Sequence, residues 1–143
     1  MFQCTCAQVM QKKTKVLNKL AELHKLCFPH QSWNADDFSK LKQSGCEIVA
    51  SANGFIVWRT IANEAEIITI GVHPDVRGGG IAIAMLGIME NEIKKVGAKK
   101  IFLEVSAENT PAIALYKKCG FVQTDRNPKY CDGIDTILME KYI

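Results

Sequence analysis

Apolar residues recur along this chain at two spacings, and the changes of spacing mark its elements. Val16, Leu20, Leu23 and Cys27 stand three and four apart with Lys and Asn between them. That period lays an apolar stripe on a helix, expected from about Thr14 to Cys27 and ended by Pro29. Residues 1–11 carry little signal beyond a short run, Phe2–Cys6, that would suit a first strand. After a loop from His30, Asn34 offers an N-cap for a short helix through about Gln43, which Gly45 stops. Glu47–Ser51 and Phe55–Ile61 read as strands joined by Ala52-Asn53-Gly54, a tight-turn signal, and Ala62-Asn63-Glu64 makes another turn. Next comes Ile67–Val72, apolar and rich in β-branched residues, then His73-Pro74-Asp75 and Arg77-Gly78-Gly79-Gly80. A helix follows, with apolar residues at Ala82, Met85, Leu86, Met89, Ile93 and Val96 and a C-cap at Gly97. Ile101–Ser106 is a strand. Thr110, as N-cap, and Pro111, at the first helical position, open a helix that runs to Gly120. Phe121–Thr124 is a strand, residues 125–133 a polar loop, and Ile134–Lys141 the last strand. This order predicts an α/β (α+β) fold, a mixed sheet with helices on both faces.

Composition narrows the picture. At 143 residues the chain suits one domain, residues 1–143, with a single core. Its 48% hydrophobic and 23% charged residues are ordinary for a globular protein. A net charge of +3 with scattered lysines gives no basic stripe, so nucleic acid is not an expected partner. Lys12, Lys13 and Lys15 form the densest cluster, read as a solvated helix face. No apolar run approaches the ~20 residues of a membrane span, and the start lacks the order of a secretory signal. A cytoplasmic protein, monomeric or weakly dimeric, is expected. The six cysteines (Cys4, Cys6, Cys27, Cys46, Cys119, Cys131) make no C-x-x-C pair, and His24, His30 and His73 add no ligand pattern. No metal is expected, and the thiols read as reduced, small hydrophobes.

The chemistry concentrates in Ile67–Met89. Strand, glycine loop and helix follow one another there, and a helix N-terminus exposes backbone N–H groups with a partial positive charge. Glycines in front of it remove side chains that would hold a phosphate away. The stretch therefore reads as a diphosphate seat, or else as a glycine-rich turn with no ligand. Nucleotide fingerprints do not fit: Gly80 is followed by Ile81 and Ala82 rather than Lys-Ser/Thr, and Ile83 stands where G-x-G-x-x-G needs its third glycine. Glu104 interrupts the apolar run Ile101–Val105, on the face of Phe102 and Ser106. A carboxylate partly buried there would have a raised pKa suited to a general base; the alternative is an exposed position or a salt bridge. Tyr116 is either a phenol at the mouth of a site or a core tyrosine, and Asn109 is either a site residue or one that only shapes its turn. Cys119, beside the Gly120 stop, reads as packing.

Arg77-x-x-Gly80-x-Ala82 resembles the Q/R-x-x-G-x-G/A motif of the GNAT superfamily of N-acetyltransferases. The run Ile101–Val105, Asn109, Ala112–Tyr116, Gly120-Phe121 resembles the second half of the same proteins, so the match covers roughly Ile67 to Met139. Within the superfamily the chain is most similar to the RimI-type ribosomal-protein-alanine N-acetyltransferases. Cys27-Phe28-Pro29 with Trp33 and Phe38, and Tyr130 with Asp135–Met139, are reminiscent of that group. The resemblance implies a mostly antiparallel twisted sheet of six to seven strands and acetyl-CoA as cosubstrate. It implies that Ile70, Gly71 and Val72 offer strand backbone to the acetyl and pantetheine portion. Arg77, Gly78, Gly79, Gly80, Ile81, Ala82 and Ile83 would cradle the diphosphate, and Asn109 would contact the cofactor. Glu104 would accept a proton and Tyr116 donate one. In three departures, Ile83 stands where many relatives carry a basic residue, Val76 where an aromatic is common, and a single tyrosine, Tyr130, replaces the adjacent pair of the RimI group.

The reaction so implied is direct acetyl transfer to a primary amine, with an oxyanion held by a backbone N–H near Val72. The acceptor it points to is a protein N-terminus, such as a ribosomal protein's. The alternatives are a small-molecule amine acceptor (polyamine, amino acid or antibiotic) and a non-catalytic acetyl-CoA-binding module.

Overall fold

The computed structural model describes residues 6–131 and 133–143, with the backbone alone for residues 6–14 and 129–131. The expected strand at Phe2–Cys6 lies outside the described residues, save that Cys6 opens the first helix; so does the side chain of Tyr130.

The elements run α1 (Cys6–Cys27), α2 (Ala35–Gln43), β1 (Glu47–Ala50), β2 (Gly54–Ile61), β3 (Glu64–Val72), a 3-10 turn (Pro74–Val76), α3 (Ile81–Lys95), β4 (Lys100–Ser106), α4 (Thr110–Lys118), β5 (Val122–Cys131) and β6 (Ile134–Tyr142). The periodic segments form the elements their patterns call for, and α1 starts earlier than its apolar stripe. Asn34 caps α2 through a full capping box: its Oδ1 accepts from Asp37 N at 2.9 Å, and Asp37 Oδ2 accepts from Asn34 N at 3.0 Å.

Two expectations are corrected. The N-cap of α4 is Asn109, whose Oδ1 accepts from Ala112 N at 3.3 Å, and Thr110 is already helical. Residues 125–131, expected in a polar loop, continue strand β5. That strand lies at the sheet edge, so its exposed polar side chains and Pro128 cost it nothing in packing, and β6 supplies the ladder.

Among the described residues one six-stranded sheet has the order β1-β2-β3-β4-β6-β5. Neighbours pair antiparallel except β3 and β4, which are parallel and joined over the sheet by α3. Alternation along β2 sends its side chains to two cores. Ile56 and Trp58 pack with Met85, Leu86, Met89 and Ile93 of α3 and Tyr116 of α4. Phe55 and Val57 pack with Leu20 and Leu23 of α1 and Phe38 of α2. Helices therefore cover both faces, and β2 is a buried central strand.

The feature that positions the site is a fork. The β3–β4 ladder has three pairs and ends at Glu66↔Phe102. Beyond it β3 stays paired with β2 as far as Val72, and β4 stays paired with β6 as far as Ser106. The two strands separate with their facing edges free of one another. No described helix is long and apolar enough to cross a membrane.

Candidate functional site

The fork opens into a cavity of about 850 Å3. Ile67–Val72 of β3 and Leu103–Ser106 of β4 form its sides. This explains why the far half of β3, apolar in sequence, is only half-buried from Ile68 to Val72. An apolar strand that fails to be covered in the middle of a sheet is facing a space.

The start of α3 closes one end. Gly78 and Gly80 have φ of +86° and +83°, the left-handed region that favours glycine, and a Cβ built on either would meet nothing within 4 Å. Backbone strain selects glycine there, and the open space lies over the helix start. Gly80 is the N-cap and has no side-chain cap. The first α-type bond of the helix is Ala84 N to Gly80 O at 3.0 Å, so the N–H groups of Ile81, Ala82 and Ile83 precede the helical ladder. Ile83 is exposed and brings no charge to this end.

The end of β3 is fixed from two directions. Arg77 Nε donates to the carbonyl of Val72 at 3.0 Å, and Cys27 Sγ, from α1, donates to the same oxygen at 3.3 Å. Burial pushes the Cys27 thiol pKa up, opposed by the adjacent Arg77 guanidinium. Gly71 is required by contact: a Cβ there would come within 2.6 Å of the Phe55 ring and 3.0 Å of Cys27 Sγ. The C-terminal end of α1 thus sits directly on Gly71 and Val72.

On the β4 side, Glu104 lines the cavity and its Oε2 accepts from Thr136 Oγ1 of β6 at 2.9 Å. The expectation of a partly buried carboxylate is corrected: Glu104 is exposed, because the fork leaves its face of β4 open. Thr136, which holds it, is 6% exposed. Tyr116 lines the cavity from α4 while its ring meets Phe121 edge-on at 5.6 Å. It is 5% exposed, and burial, with a smaller contribution from Cys119, pushes its phenol pKa well above the usual tyrosine range. Cys119 is half-buried against the same core.

All the residues given a catalytic or cofactor role from the sequence line this one cavity except Gly79, which lies outside it and has only Val76 O, at 3.5 Å, near a built Cβ. Asn109 also lines it, with its side chain engaged as the α4 cap. Sequence reasoning assigned no role to a further wall: His24, Cys27, Phe28, Gln31 and Trp33, from the end of α1 and the loop to α2. His24, read as part of no ligand pattern, is 2% exposed and packs with four aromatic rings. The available signal was the density of rings around the helix break at Pro29. Among the described residues, no group of His, Cys, Asp and Glu is placed to hold a metal ion.

Comparison with known proteins agrees with this geometry. The profile of the acetyltransferase (GNAT) family matches residues 15–121. The [ribosomal protein bS18]-alanine N-acetyltransferase of Escherichia coli (strain K12) is 37% identical over 81 residues, 57% of this chain and 55% of that protein. The N-alpha-acetyltransferase of Sulfurisphaera tokodaii is 37% identical over 82 residues, 56% of this chain and 49% of that protein. The chain thus spans about half the length of these curated relatives. The crystal structure of the E. coli ribosomal-protein-S18-alanine N-acetyltransferase superposes with a TM-score of 0.79 at 26% identity, over 91% of this chain and 89% of that one. A candidate streptothricin acetyltransferase from Bacillus anthracis str. Ames, solved in complex with acetyl coenzyme A, gives a TM-score of 0.60 at 25% identity, over 64% of this chain and 56% of that one.

Proposed function

Since the chain belongs to the acetyltransferase (GNAT) family, we propose that it transfers the acetyl group of acetyl-CoA to a primary amine, the α-amine of a protein N-terminus, with a ribosomal protein as the first substrate to try. The observation that carries this reading is the fork. It sets an uncapped, glycine-opened helix start at one end of a cavity and a carboxylate, Glu104, in its wall. The open space over Gly78 and Gly80 fits a diphosphate, which would rest on the N–H groups of Ile81, Ala82 and Ile83. Ile70, Gly71 and Val72 would run beside the pantetheine arm, with Arg77 holding the strand end rather than a phosphate.

The thioester supplies the activated acyl group, and the chain supplies the rest. Free α-amines have a pKa of ~8 and lysine amines ~10.4, so a proton must leave before attack. Glu104, oriented by Thr136 and open to solvent, is the acceptor for that proton. A backbone N–H at the end of β3, that of Val72 in the first place, would meet the developing oxyanion. Tyr116, kept protonated by burial, would donate a hydrogen bond to the departing sulfur. Its raised pKa makes stabilisation of the thiolate the easier task and full proton transfer the harder one. Alignment of amine and thioester then provides much of the rate without an acyl-enzyme.

The test is release of free CoA on incubation with acetyl-CoA and an amine panel that includes an alanine-initiated peptide. Glu104→Gln is expected to lower kcat by about 100-fold or more while acetyl-CoA affinity stays within about twofold. Unchanged turnover would remove Glu104 from the role. Acetyl-CoA binding without CoA release for any amine would make the chain a binding module. Transfer to polyamines but not peptides would make the acceptor a small molecule. Against that outcome stands the lining itself: among the described residues Glu104 is its one carboxylate and Arg77 and Lys118 are cations, a poor seat for a polycation.

A further inference from the structure

The wall formed by the end of α1 and the loop to α2 has no part in the steps above, yet it adjoins the place where they would occur. Cys27 touches the carbonyl of Val72 and the backbone of Gly71, so the segment Phe28–Trp33 leaves α1 directly over the end of β3. Phe28 and Trp33, both half-buried, line the cavity. His24 ties this segment to α1. His24 Nδ1 accepts the backbone N–H of Trp33 at 3.1 Å, and the imidazole stacks on the Trp33 indole at 4.7 Å with 14° between planes. Phe28 lies against the same imidazole at 4.9 Å, with Phe38 of α2 and Phe55 of β2 each at 5.5 Å.

We propose that His24 is a positioning residue for the acceptor: by accepting the Trp33 N–H and stacking on its ring, it sets an aromatic wall of Phe28 and Trp33 against which the group bearing the amine is held. This rests on the acetyl-transfer reading and adds a preference to it, for acceptors whose amine sits beside an apolar or aromatic side chain.

The arrangement requires the neutral ring. With Nδ1 accepting, the single proton of neutral imidazole is on Nε2; a second proton would turn Nδ1 into a donor facing the Trp33 N–H. The surroundings oppose that proton. Burial lowers the His24 pKa, and this outweighs Asp37 of α2, whose charge raises it. The other faces present Phe55 from β2 and Phe28 and Trp33 from the loop, and among the described residues the adjoining apolar cluster carries the thiols of Cys27 and Cys46. A depressed folded pKa means the wall is intact above the ordinary histidine value of 6.5 and is lost as pH falls through the lower folded value.

Two variants and two readouts test this. His24→Leu keeps bulk and removes the acceptor; His24→Asn places an oxygen near the Nδ1 position and cannot take a proton. His24→Leu is expected to raise the KM of an N-terminal peptide about tenfold with acetyl-CoA KM within about twofold, and His24→Asn to recover most of that loss. The ratio of wild-type to His24→Asn peptide KM should be flat above the ordinary histidine value of 6.5 and rise as the pH is taken below it, a comparison that cancels protonation of the peptide itself. An imidazolium stacked on an indole quenches its emission, so wild-type tryptophan fluorescence should fall over the same range and His24→Asn should lack that titration. Both KM values moving together, an Asn variant no better than Leu, or an emission titration that survives in His24→Asn would each overturn the proposal. If wild type acetylates no amine, the reaction reading fails, and the emission titration still decides the His24–Trp33 arrangement.

Discussion

Two helices begin at the rim of the same cavity, and they begin differently. α4 starts behind Asn109, whose side chain accepts the Ala112 N–H. α3 starts behind Gly80, which has no side chain to offer. Both starts present N–H groups that the helical ladder leaves over, with a partial positive charge. In α4 the protein satisfies them itself; in α3 it leaves them to whatever enters. The lesson is that a missing cap beside a cavity is a sharper pointer to a candidate binding end than the presence of a helix start is.

Experiments can sharpen or break that contrast. The largest effect is expected from Gly80→Asn. Asparagine tolerates φ near +83° better than other side chains, so the fold should persist while a side chain enters the open seat. Acetyl-CoA affinity measured by calorimetry should fall about tenfold, a loss of about 1.4 kcal/mol. Unchanged affinity would mean the open helix start is not the diphosphate seat. Next is Asn109→Ala, which removes a cap and should lower unfolding stability in urea by about 1 kcal/mol. Its acetyl-CoA affinity should stay within about twofold; a large loss would assign Asn109 to the ligand as well. The smallest effect belongs to Gly79→Ala. Gly79 is not in the lining of this cavity and has ordinary room for a methyl, so stability should change by no more than about 0.5 kcal/mol and affinity hardly at all. A marked affinity loss there would extend the seat to all three glycines.

The same contrast explains what the sequence disclosed. Asn34, Gly80 and Gly97 act through neighbours a few residues away, so the start of α2 and both ends of α3 are readable from local pattern. Asn109 and Thr110 are adjacent cap-forming types, and only the fold decides between them. β5 is polar along its exposed edge and takes its order from β6, a partner no local window contains. Glu104 stands out in the sequence as a carboxylate in an apolar strand, and of the two readings it allows, partly buried or exposed, the structure has the exposed one, where the β3–β4 ladder has already stopped. His24 is the extreme case. Its partners Trp33, Phe38 and Phe55 come from three separate segments, and nothing in their spacing announces that they share one histidine.

The early end of that ladder also bears on mechanical behaviour. β1–β3 and β4–β6 each hold together by long antiparallel ladders, while three parallel pairs join one half-sheet to the other. A molecule lodged between the halves contacts both and acts as a suture across the seam. Occupancy should therefore slow amide exchange most at the two strand edges that part company, well before it reaches the outer strands.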